Sequence, residues 1–468
     1  MRSHRTGRHT GFAGCVFSTI CPWRWKRSGS TPRSRLSCQK SGSPILSINS
    51  TARNSACGSP APRTACLWHP CRHGPSMNFR CHPARPPDMS RGTAGRRTAH
   101  GQNIPAHGTT RRRLILWRGK HSATDRKYEQ MTTTYGIVGC GMMGREHIRN
   151  IALMDDAKVG AILEPNPEMG AAALALAPGA VIVDSLNALL AHRPLDCLLI
   201  ASPNHCHAGQ LAEIAAKATL PILVEKPLFT DPADLAMIEA FRKDYGAPVW
   251  VAMEYRYMPP MQKFLEMADD VTGGIRMLSI VEHRYPFLEK VGNWNRFNAN
   301  SGGTFVEKCC HFFDLMRLIL KSDPVRVMAS AGQEVNHLDE VYDGRASDIL
   351  DSGYVIVDFA SGARAMLELS MFAEGSEYQE MFHAIGAQGK LEVKIPGPAR
   401  FWSGPEAARP VPLLVESRRH PCNPVMHQVP IDAAILEAGD HNGSTFYQHQ
   451  RFLDVVRGRG SVEVSLED

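Results

Sequence analysis

Two side chains that could transfer a proton lie far apart in this sequence. Lys226 directly follows a short apolar run, and His311 lies in an apolar helical stretch much later in the chain. Glu307 and Asp314 are at helical spacing from His311, so we expect all three on one face of a single helix over residues 303–320. A buried row of acids and a histidine is costly unless it is paired or functional. The pattern predicts a proton-transfer site built from Lys226, Glu307 and His311. The alternative for His311 is a core histidine with satisfied hydrogen bonds.

A glycine-rich turn far upstream could bind a phosphate-bearing ligand. Gly139, Gly141 and Gly144 have G-x-G-x-x-G spacing between an apolar run and a helical stretch. The first glycine permits a tight turn, the second lets backbone approach a pyrophosphate, and the third lets the helix pack on the strand. The first residues of the helix would be Met142 and Met143, whose free backbone N–H groups can bind an anion. The turn therefore predicts a dinucleotide site, against the alternative of a glycine turn in another βα unit.

An acid after the second strand narrows the choice of cofactor. Glu164 directly follows the apolar run 158–163. Its distance along the chain from the glycine turn is the one at which a carboxylate accepts hydrogen bonds from the adenosine ribose hydroxyls. The same carboxylate would repel a 2′-phosphate. We therefore expect NAD rather than NADP. The alternative is an ordinary solvated acid at a strand end.

Polar side chains follow the apolar runs 196–201 and 221–224. Ligands of a parallel sheet lie at the carboxyl ends of its strands. The residues that we expect to contact the cofactor there are Ser202, Asn204, His207, Glu225 and Lys226. Burial and a positive nicotinamide ring would lower the pKa of Lys226 and suit it to acid–base work. The alternative is a surface lysine paired with Glu225.

The elements that must position these residues fall into two patterns. Short apolar runs alternate with helical stretches over residues 131–254, which predicts a doubly wound parallel sheet, the Rossmann architecture. Longer alternating runs over residues 255–468 predict an α+β domain whose mostly antiparallel sheet has one open face. A ligand cleft is expected between the two domains.

The segment 1–130 differs from the rest of the chain. It carries a net charge of +21, whereas the remainder carries −14. It lacks apolar periodicity and cannot bury a core, so we expect a disordered basic leader. It could be conceptually translated sequence upstream of Met131, which the abrupt onset of patterning favours, a transit peptide, or a nucleic-acid-binding tail. The acidic remainder suggests no nucleic-acid partner.

Cysteine usage and hydropathy exclude several further classes. Seven of the 13 cysteines lie in the leader, and the other six show no C-x-x-C spacing. We therefore expect no metal centre, and we expect free thiols in a reducing cytoplasm. No apolar run is long enough to form a transmembrane helix, so a membrane span is not expected.

Together these motifs resemble the glucose–fructose oxidoreductase/inositol dehydrogenase (Gfo/Idh/MocA) family over about residues 134–468. The resemblance rests on the glycine turn, on Pro203-Asn204-x-x-His207, on Glu225-Lys226-Pro227, on Arg256-Tyr257, and on the Gly-Gly…Glu307-x-x-x-His311-x-x-Asp314 segment. It implies hydride transfer between NAD(P) and a sugar, cyclitol or related polyol. It also implies a homo-oligomer formed through the sheet of the second domain.

The resemblance further assigns roles to individual residues. Lys226 and His311 match the family's catalytic lysine and histidine, and Glu307 replaces an acid that is usually Asp. Arg256 matches a substrate-contacting position, and Trp294 falls where a Trp-Arg pair is common, although here the segment reads Gly292-Asn-Trp-Asn-Arg296. Two other functions share the scaffold, an NAD-dependent glycosidase and a non-catalytic dinucleotide-binding regulator.

The chain end also departs from the family pattern. Relatives usually continue into a helix that packs back on the first domain. The sequence stops at Asp468, so we expect that helix to be missing and the second domain to be truncated.

Overall fold

The computed structural model describes residues 132–468. The expectations for the leader 1–130 lie outside the described residues. Within them, no helix is long and apolar enough to cross a membrane.

The first domain is a six-stranded parallel sheet with helices on both faces. Its elements in chain order are β1 Thr133–Val138, α1 Met142–Ala152, β2 Ala157–Leu163, α2 Pro167–Leu176, β3 Val181–Val183, α3 Leu186–Ala191, β4 Cys197–Ile200, α4 His207–Ala215, β5 Ile222–Val224, α5 Leu235–Asp244 and β6 Val249–Val251. The strand order is β3-β2-β1-β4-β5-β6. This is the doubly wound order with its switch point between β1 and β4, which confirms the predicted Rossmann domain.

The apolar runs form these strands because both faces of the sheet are covered. β1, β4, β5 and β6 are buried along their whole length, as expected for a parallel sheet between two helical layers. The helices begin at local signals. Asn166 caps α2 by accepting the N–H groups of Glu168 and Met169, and Ser185 caps α3 through Ala188 N–H.

The second domain contains an eight-stranded mixed sheet. Its elements in chain order are α6 Pro259–Thr272, β7 Ile275–His283, α7 Asn298–Ser301, α8 Thr304–Glu307, α9 Cys310–Leu320, β8 Pro324–Gly332, β9 Val341–Tyr342, β10 Arg345–Ala346, β11 Ser352–Phe359, β12 Arg364–Ser370, β13 Glu380–Gly386, β14 Gly389–Ile395, β15 Leu413–Arg418, β16 Val425–Gln428, α10 Ala433–Ala438 and α11 Ser444–Val456. The order is β16-β15-β14-β13-β7-β12-β11-β8, and all pairs except β7 with β12 are antiparallel.

One face of this sheet is covered and the other is open. Along β11 every second residue is buried, including Val355 and Val357, and these pack in one core with residues of α6 and α9 such as Phe264 and Phe312. The alternation follows from the period of two in a strand. The α+β domain with an open-faced sheet is therefore confirmed.

The single helix expected over residues 303–320 is wrong. The chain forms the short helix α8, turns through Lys308 and Cys309, and restarts as α9. The backbone carbonyl of Glu307, at the break, accepts a hydrogen bond from Lys226 Nζ at 2.9 Å. A long-range side-chain contact thus occurs where local periodicity predicted an uninterrupted helix.

Helix α11, Ser444–Val456, is the last helix of the described residues, and the expected truncation of the second domain stays a prediction. Helix α11 packs back on the first domain, and its Phe452 ring lies 6.2 Å from the Tyr135 ring and 6.4 Å from the Trp250 ring. Phe452 and Leu453 belong to the core of the first domain. The segment after α11 also packs on the first domain, since Val464 is buried in the same core. The chain therefore returns to the first domain at its end, and the boundary at residue 254 stays a prediction.

Candidate active site

The glycine turn between β1 and α1 has the backbone geometry that a pyrophosphate needs. Gly139 has a φ of +84°, and a Cβ there would lie 2.6 Å from Ser202 Cα. A Cβ on Gly144 would lie 2.4 Å from the Gly139 carbonyl oxygen, whereas one on Gly141 would enter open space. No side chain caps α1, so the N–H groups of Met142 and Met143 remain for an anion. The turn therefore fits a dinucleotide.

Glu164 lies next to this turn. Its Oε2 accepts the Cys140 N–H at 2.8 Å, and its Oε1 accepts the Asn166 N–H at 2.9 Å. The carboxylate thus braces the turn as well as standing at the end of β2. Its contact with a ribose stays a prediction.

The three polar residues after β4 are held in place by protein contacts. Ser202 Oγ donates to Gln210 Oε1 at 2.6 Å, and Asn204 Nδ2 donates to the Ser301 carbonyl oxygen at 3.2 Å. The ring of His207 is fully buried, with its nitrogens 2.8 Å and 2.9 Å from the carbonyl oxygens of Pro227 and Ser202. Burial lowers the pKa of His207. These contacts brace the loops after β4 and β5, and direct cofactor binding stays a prediction.

The side chain of Lys226 forms a hydrogen bond between the two domains. Lys226 follows β5, and its Nζ donates to the Glu307 carbonyl oxygen at 2.9 Å, so the alternative of a surface lysine paired with Glu225 is wrong. Burial acts to lower the pKa of Lys226, but neighbouring Cys310 and three surrounding carboxylates outweigh it and raise that pKa. The carboxylates belong to Glu225, Glu307 and Glu254. The expected lowering is therefore wrong for the chain without cofactor, and Lys226 is a charged donor.

Glu225 lies at one end of a hydrogen-bonded series of buried aromatic side chains, which the sequence analysis did not predict. Glu225 Oε2 accepts the Lys226 backbone N–H at 3.1 Å, and Oε1 lies 2.8 Å from His147 Nε2. His147 Nδ1 lies 2.9 Å from His449 Nε2, and His449 Nδ1 lies 3.2 Å from the Tyr135 hydroxyl. His147 can donate to the carboxylate in either charge state: when it is neutral, the Tyr135 hydroxyl donates to His449, and when it is charged, His449 donates to that hydroxyl. The series ties α11, α1 and β1 to the strand end that carries Lys226.

His311 is held as a neutral base. It is buried, its ring stacks on Tyr255 with centroids 4.1 Å apart, and its Nδ1 has no hydrogen-bond partner among the described residues. Burial, aided by the positive charges of Lys226 and Lys308, lowers the pKa of His311 well below its ordinary value. A buried, unpartnered imidazole nitrogen is available to a ligand proton.

Glu307 lies beside the same segment. Its Oε1 accepts from Lys290 Nζ at 2.9 Å, while its Oε2 is buried without a partner in the described chain. Lys290 Nζ also lies 4.3 Å from the centre of the Trp294 ring. Glu307 therefore has one oxygen free to accept a ligand hydroxyl, and Trp294 borders the lysine that holds the other.

The third acid of the stripe and Arg256 pair with each other. Arg256 Nε donates to Asp314 Oδ2 at 2.6 Å, Nη2 donates to the other carboxylate oxygen, and Nη1 donates to the Glu463 carbonyl at 2.9 Å. Asp314 therefore lies outside the proton-transfer group, against the expected three-residue stripe. Three donors of Arg256 are occupied by protein, and its substrate contact stays a prediction.

Together, Lys226, His311 and Glu307 supply the kinds of group that acid–base chemistry needs. The structure brings Lys226 to the backbone of Glu307 at the end of α8, and His311 follows in the first turn of α9. The segment formed by α8 and α9 thus carries the neutral imidazole of His311 and the free carboxylate oxygen of Glu307, and it contacts the charged ammonium group of Lys226. Such groups can bind a hydroxyl and remove its proton.

Comparisons with known proteins point to one family. Residues 133–253 match the family model described as "Oxidoreductase family, NAD-binding Rossmann fold", and residues 268–468 match "Oxidoreductase family, C-terminal alpha/beta domain". Inositol 2-dehydrogenase 2 of Saccharopolyspora erythraea is 32% identical over 269 residues, which cover 57% of this chain and 74% of the relative.

Solved structures share the fold. Levoglucosan dehydrogenase in complex with NADH and levoglucosan superposes with a TM-score of 0.58 at 19% identity, covering 72% of this chain and 93% of that one. A 3-ketoreductase from Actinomadura kijaniata in complex with NADP and TDP-benzene gives a TM-score of 0.55 at 18% identity over 72% and 93% of the two chains.

Proposed function

We propose, from the premise that this chain belongs to the Gfo/Idh/MocA family of NAD(P)-binding oxidoreductases, that it is a dehydrogenase which oxidises one secondary hydroxyl of a sugar, cyclitol or related polyol. The observation that carries this proposal is the contact of Lys226 Nζ with the carbonyl oxygen of Glu307, which lies four residues before His311 in the sequence. This contact joins the lysine of the first domain to the segment of the second domain that carries the histidine, and so supports an acid–base role for the two residues. The S. erythraea relative, an inositol 2-dehydrogenase, supports a polyol as substrate.

The charge states divide the work between the two residues. When bound, the nicotinamide supplies the hydride acceptor. Lys226, whose pKa is raised, donates a hydrogen bond to the substrate oxygen and stabilises the negative charge that develops there. His311, whose pKa is lowered, is neutral and takes the hydroxyl proton. The free oxygen of Glu307 accepts from a neighbouring hydroxyl and orients the ring.

The preferred cofactor in this proposal is NAD. Glu164 stands at the end of β2, where one carboxylate oxygen accepts the Cys140 N–H of the glycine turn and the other accepts the Asn166 N–H. A carboxylate at that strand end accepts from ribose hydroxyls and repels a 2′-phosphate. We further propose that the protein acts in the cytoplasm, since all six cysteines in the described part of the chain are free.

An activity screen tests this function. The purified full chain is incubated with NAD or NADP and a panel that contains myo-inositol, levoglucosan and common aldoses, and reduced nicotinamide is followed by absorbance. We expect steady release of reduced cofactor with at least one polyol and a higher kcat/KM with NAD. Cleavage of a glycoside without net reduction would instead identify a glycosidase, and cofactor binding without turnover on any compound would identify a regulator.

We also propose that the chain forms a homo-oligomer through the open face of the second sheet. Met328 of β8 lies opposite Ile356 of β11, and Tyr354 lies two positions along on the same face. All three are exposed, as are Met277 and Ile385 on neighbouring strands. An apolar patch of this kind on a sheet face is typical of a protein interface.

A further inference from the structure

A histidine outside the proton-transfer pair lies between two buried carboxylates. His441 Nδ1 is 2.7 Å from Glu146 Oε1 and 3.4 Å from Glu254 Oε1. Thr445 Oγ1 lies 3.1 Å from the same Glu146 oxygen and also donates to Glu254 Oε2. The residues come from three separate parts of the fold: α1, the segment after β6, and α11 with the loop before it. Neither the family motifs nor the proton-transfer pair accounts for this cluster.

The cluster requires a positive charge on the imidazole. Glu146 and Glu254 are 2% and 1% exposed. Two buried carboxylates that approach the same imidazole nitrogen repel each other unless a cation lies between them. Burial acts to lower the pKa of His441, but the two glutamates raise it to about 9. For Glu254, burial and the neighbouring carboxylates raise the pKa. His441 is therefore an imidazolium whose Nδ1–H donates a hydrogen bond to the glutamates.

The other edge of the ring is open and lies next to the proton-transfer site. The His441 side chain is 21% exposed, unlike its carboxylate partners, and its Nε2 has no hydrogen-bond partner among the described residues. The Tyr255 ring lies 5.9 Å from His441 and stacks on His311. One aromatic ring thus adjoins a neutral histidine and a charged one.

We propose that His441 is a further substrate-binding residue, whose Nε2–H donates to an uncharged hydroxyl oxygen of the polyol at a carbon away from the one oxidised. This inference rests on the proposed function, because it needs a substrate that lies against His311. An uncharged acceptor follows from the surroundings, since Glu146 already neutralises the imidazolium and Glu254 adds further negative charge.

The test compares substitutions at His441 with one at an exposed histidine. His441→Phe removes the donor, His441→Gln keeps a neutral donor, and His420→Gln is the control at an exposed site. With myo-inositol, or the panel compound oxidised fastest, we expect the KM of His441→Phe to rise by about 10–100-fold, because a hydrogen bond to a charged donor is lost. We expect a smaller rise for His441→Gln, a kcat close to that of the wild type, and unchanged NAD affinity. An unchanged KM in His441→Phe would overturn the proposal.

A second variant guards against loss of folding. His441→Phe leaves two uncompensated carboxylates, so the pair His441→Phe/Glu254→Gln removes one of them together with the imidazolium. A raised KM in this folded variant supports the proposal as the single change does, and an unchanged KM overturns it.

Nitrogen NMR of the imidazole separates failure of this inference from failure of the proposed function. Turnover of no polyol by the wild-type chain would overturn the proposed function. A neutral His441 ring at pH 7 would overturn the inference even if polyols are oxidised. Saturable Zn²⁺ binding that Glu146→Gln abolishes would also overturn it, because a metal ion on Glu146, Glu254 and His441 would replace the proton.

Discussion

Lys226 Nζ donates to the backbone carbonyl oxygen of Glu307 at 2.9 Å across 81 residues of sequence, and this contact joins the two domains. It lies at the break between α8 and α9, just before His311. The lysine is therefore held by a main-chain atom, which leaves the Glu307 carboxylate for Lys290 and for a ligand. A backbone acceptor fixes the position of the ammonium group without neutralising its charge.

Removal of this ammonium group tests its role in catalysis. Lys226→Ala should lower kcat for polyol oxidation by about 10²–10⁴-fold, the usual value of a positioned acid–base group. The affinity for NAD should change little, because the glycine turn and α1 are untouched. Stopped-flow turnover and NAD titration measure the two quantities, and Lys217→Ala, at an exposed lysine, is the control. Full turnover in Lys226→Ala would make the residue a purely structural link between the domains.

The acidic limb of the pH profile reports on His311. Oxidation needs the neutral imidazole, and the pKa of His311 is well below 6.5. Activity should therefore persist at pH 6.5 and fall only at more acidic pH. His311→Asn should cut kcat strongly and remove this limb from the profile of kcat/KM. Combined with Lys226→Ala, it should cost much less than the product of the single effects, because the two groups act as a unit. An acidic limb that persists unchanged in His311→Asn would assign it to another group.

Local spacing was sufficient to predict the cofactor turn. Gly139 and Gly141 lie between β1 and α1, and Gly144 lies in the first turn of α1, because a strand, a tight turn and a helix are all encoded within a few neighbouring residues. The two sheets were predictable for the same reason, since the period of the apolar residues differs between them.

Long-range pairing was not predictable in this way. The partners of Glu225 include His147 and, through it, His449, which lies 302 residues further along the chain than His147. No periodicity reports which distant elements meet. The sign of the pKa shift of Lys226 was missed for that reason, because it depends on carboxylates from separate elements. The packing of α11 on the first domain was not predicted for the same reason.

The proposed preference for NAD depends on one carboxylate. Glu164→Ser should weaken NAD binding and improve NADP binding relative to it, because the acceptor for the ribose hydroxyls and the repulsion of a 2′-phosphate are both lost. Calorimetric titration with the two cofactors measures the ratio of dissociation constants. Glu168→Ser, in the first turn of α2, is a matched control. Tighter binding of NADP than of NAD by the wild-type protein would contradict the assignment.

The open sheet face should mediate self-association. Ile356→Glu places a charge at the centre of the apolar patch and should shift the protein to a smaller assembly, because burying that charge in an interface is unfavourable. Light scattering after size-exclusion chromatography measures the mass. Leu153→Glu, at an exposed apolar residue of the first domain, should leave the mass unchanged. A monomeric wild-type protein would rule out this interface.

The buried pair of His147 and Glu225 should stabilise the fold over a defined pH range. Burial acts against both charges, but each partner favours the charged form of the other, so the pKa of His147 is raised from 6.5 and that of Glu225 is lowered from 4.5. The carboxylate contribution is present above pH 4.5 and is lost as pH falls through the lowered pKa. The histidine contribution is present below pH 6.5 and is lost as pH rises through the raised pKa.

Substitution of His147 tests this linkage. His147→Gln should reduce the free energy of unfolding by about 1–3 kcal/mol, since Glu225 loses a buried hydrogen-bond partner. The difference in unfolding free energy from wild type should be largest between pH 4.5 and 6.5. It should shrink at more alkaline pH, because His147 of the wild-type protein loses its charge there. Urea unfolding at several pH values measures the difference, with His420→Gln as an exposed control. A difference that grows steadily above pH 7 would show that His147 is neutral in the folded protein and acts only as a hydrogen-bond donor.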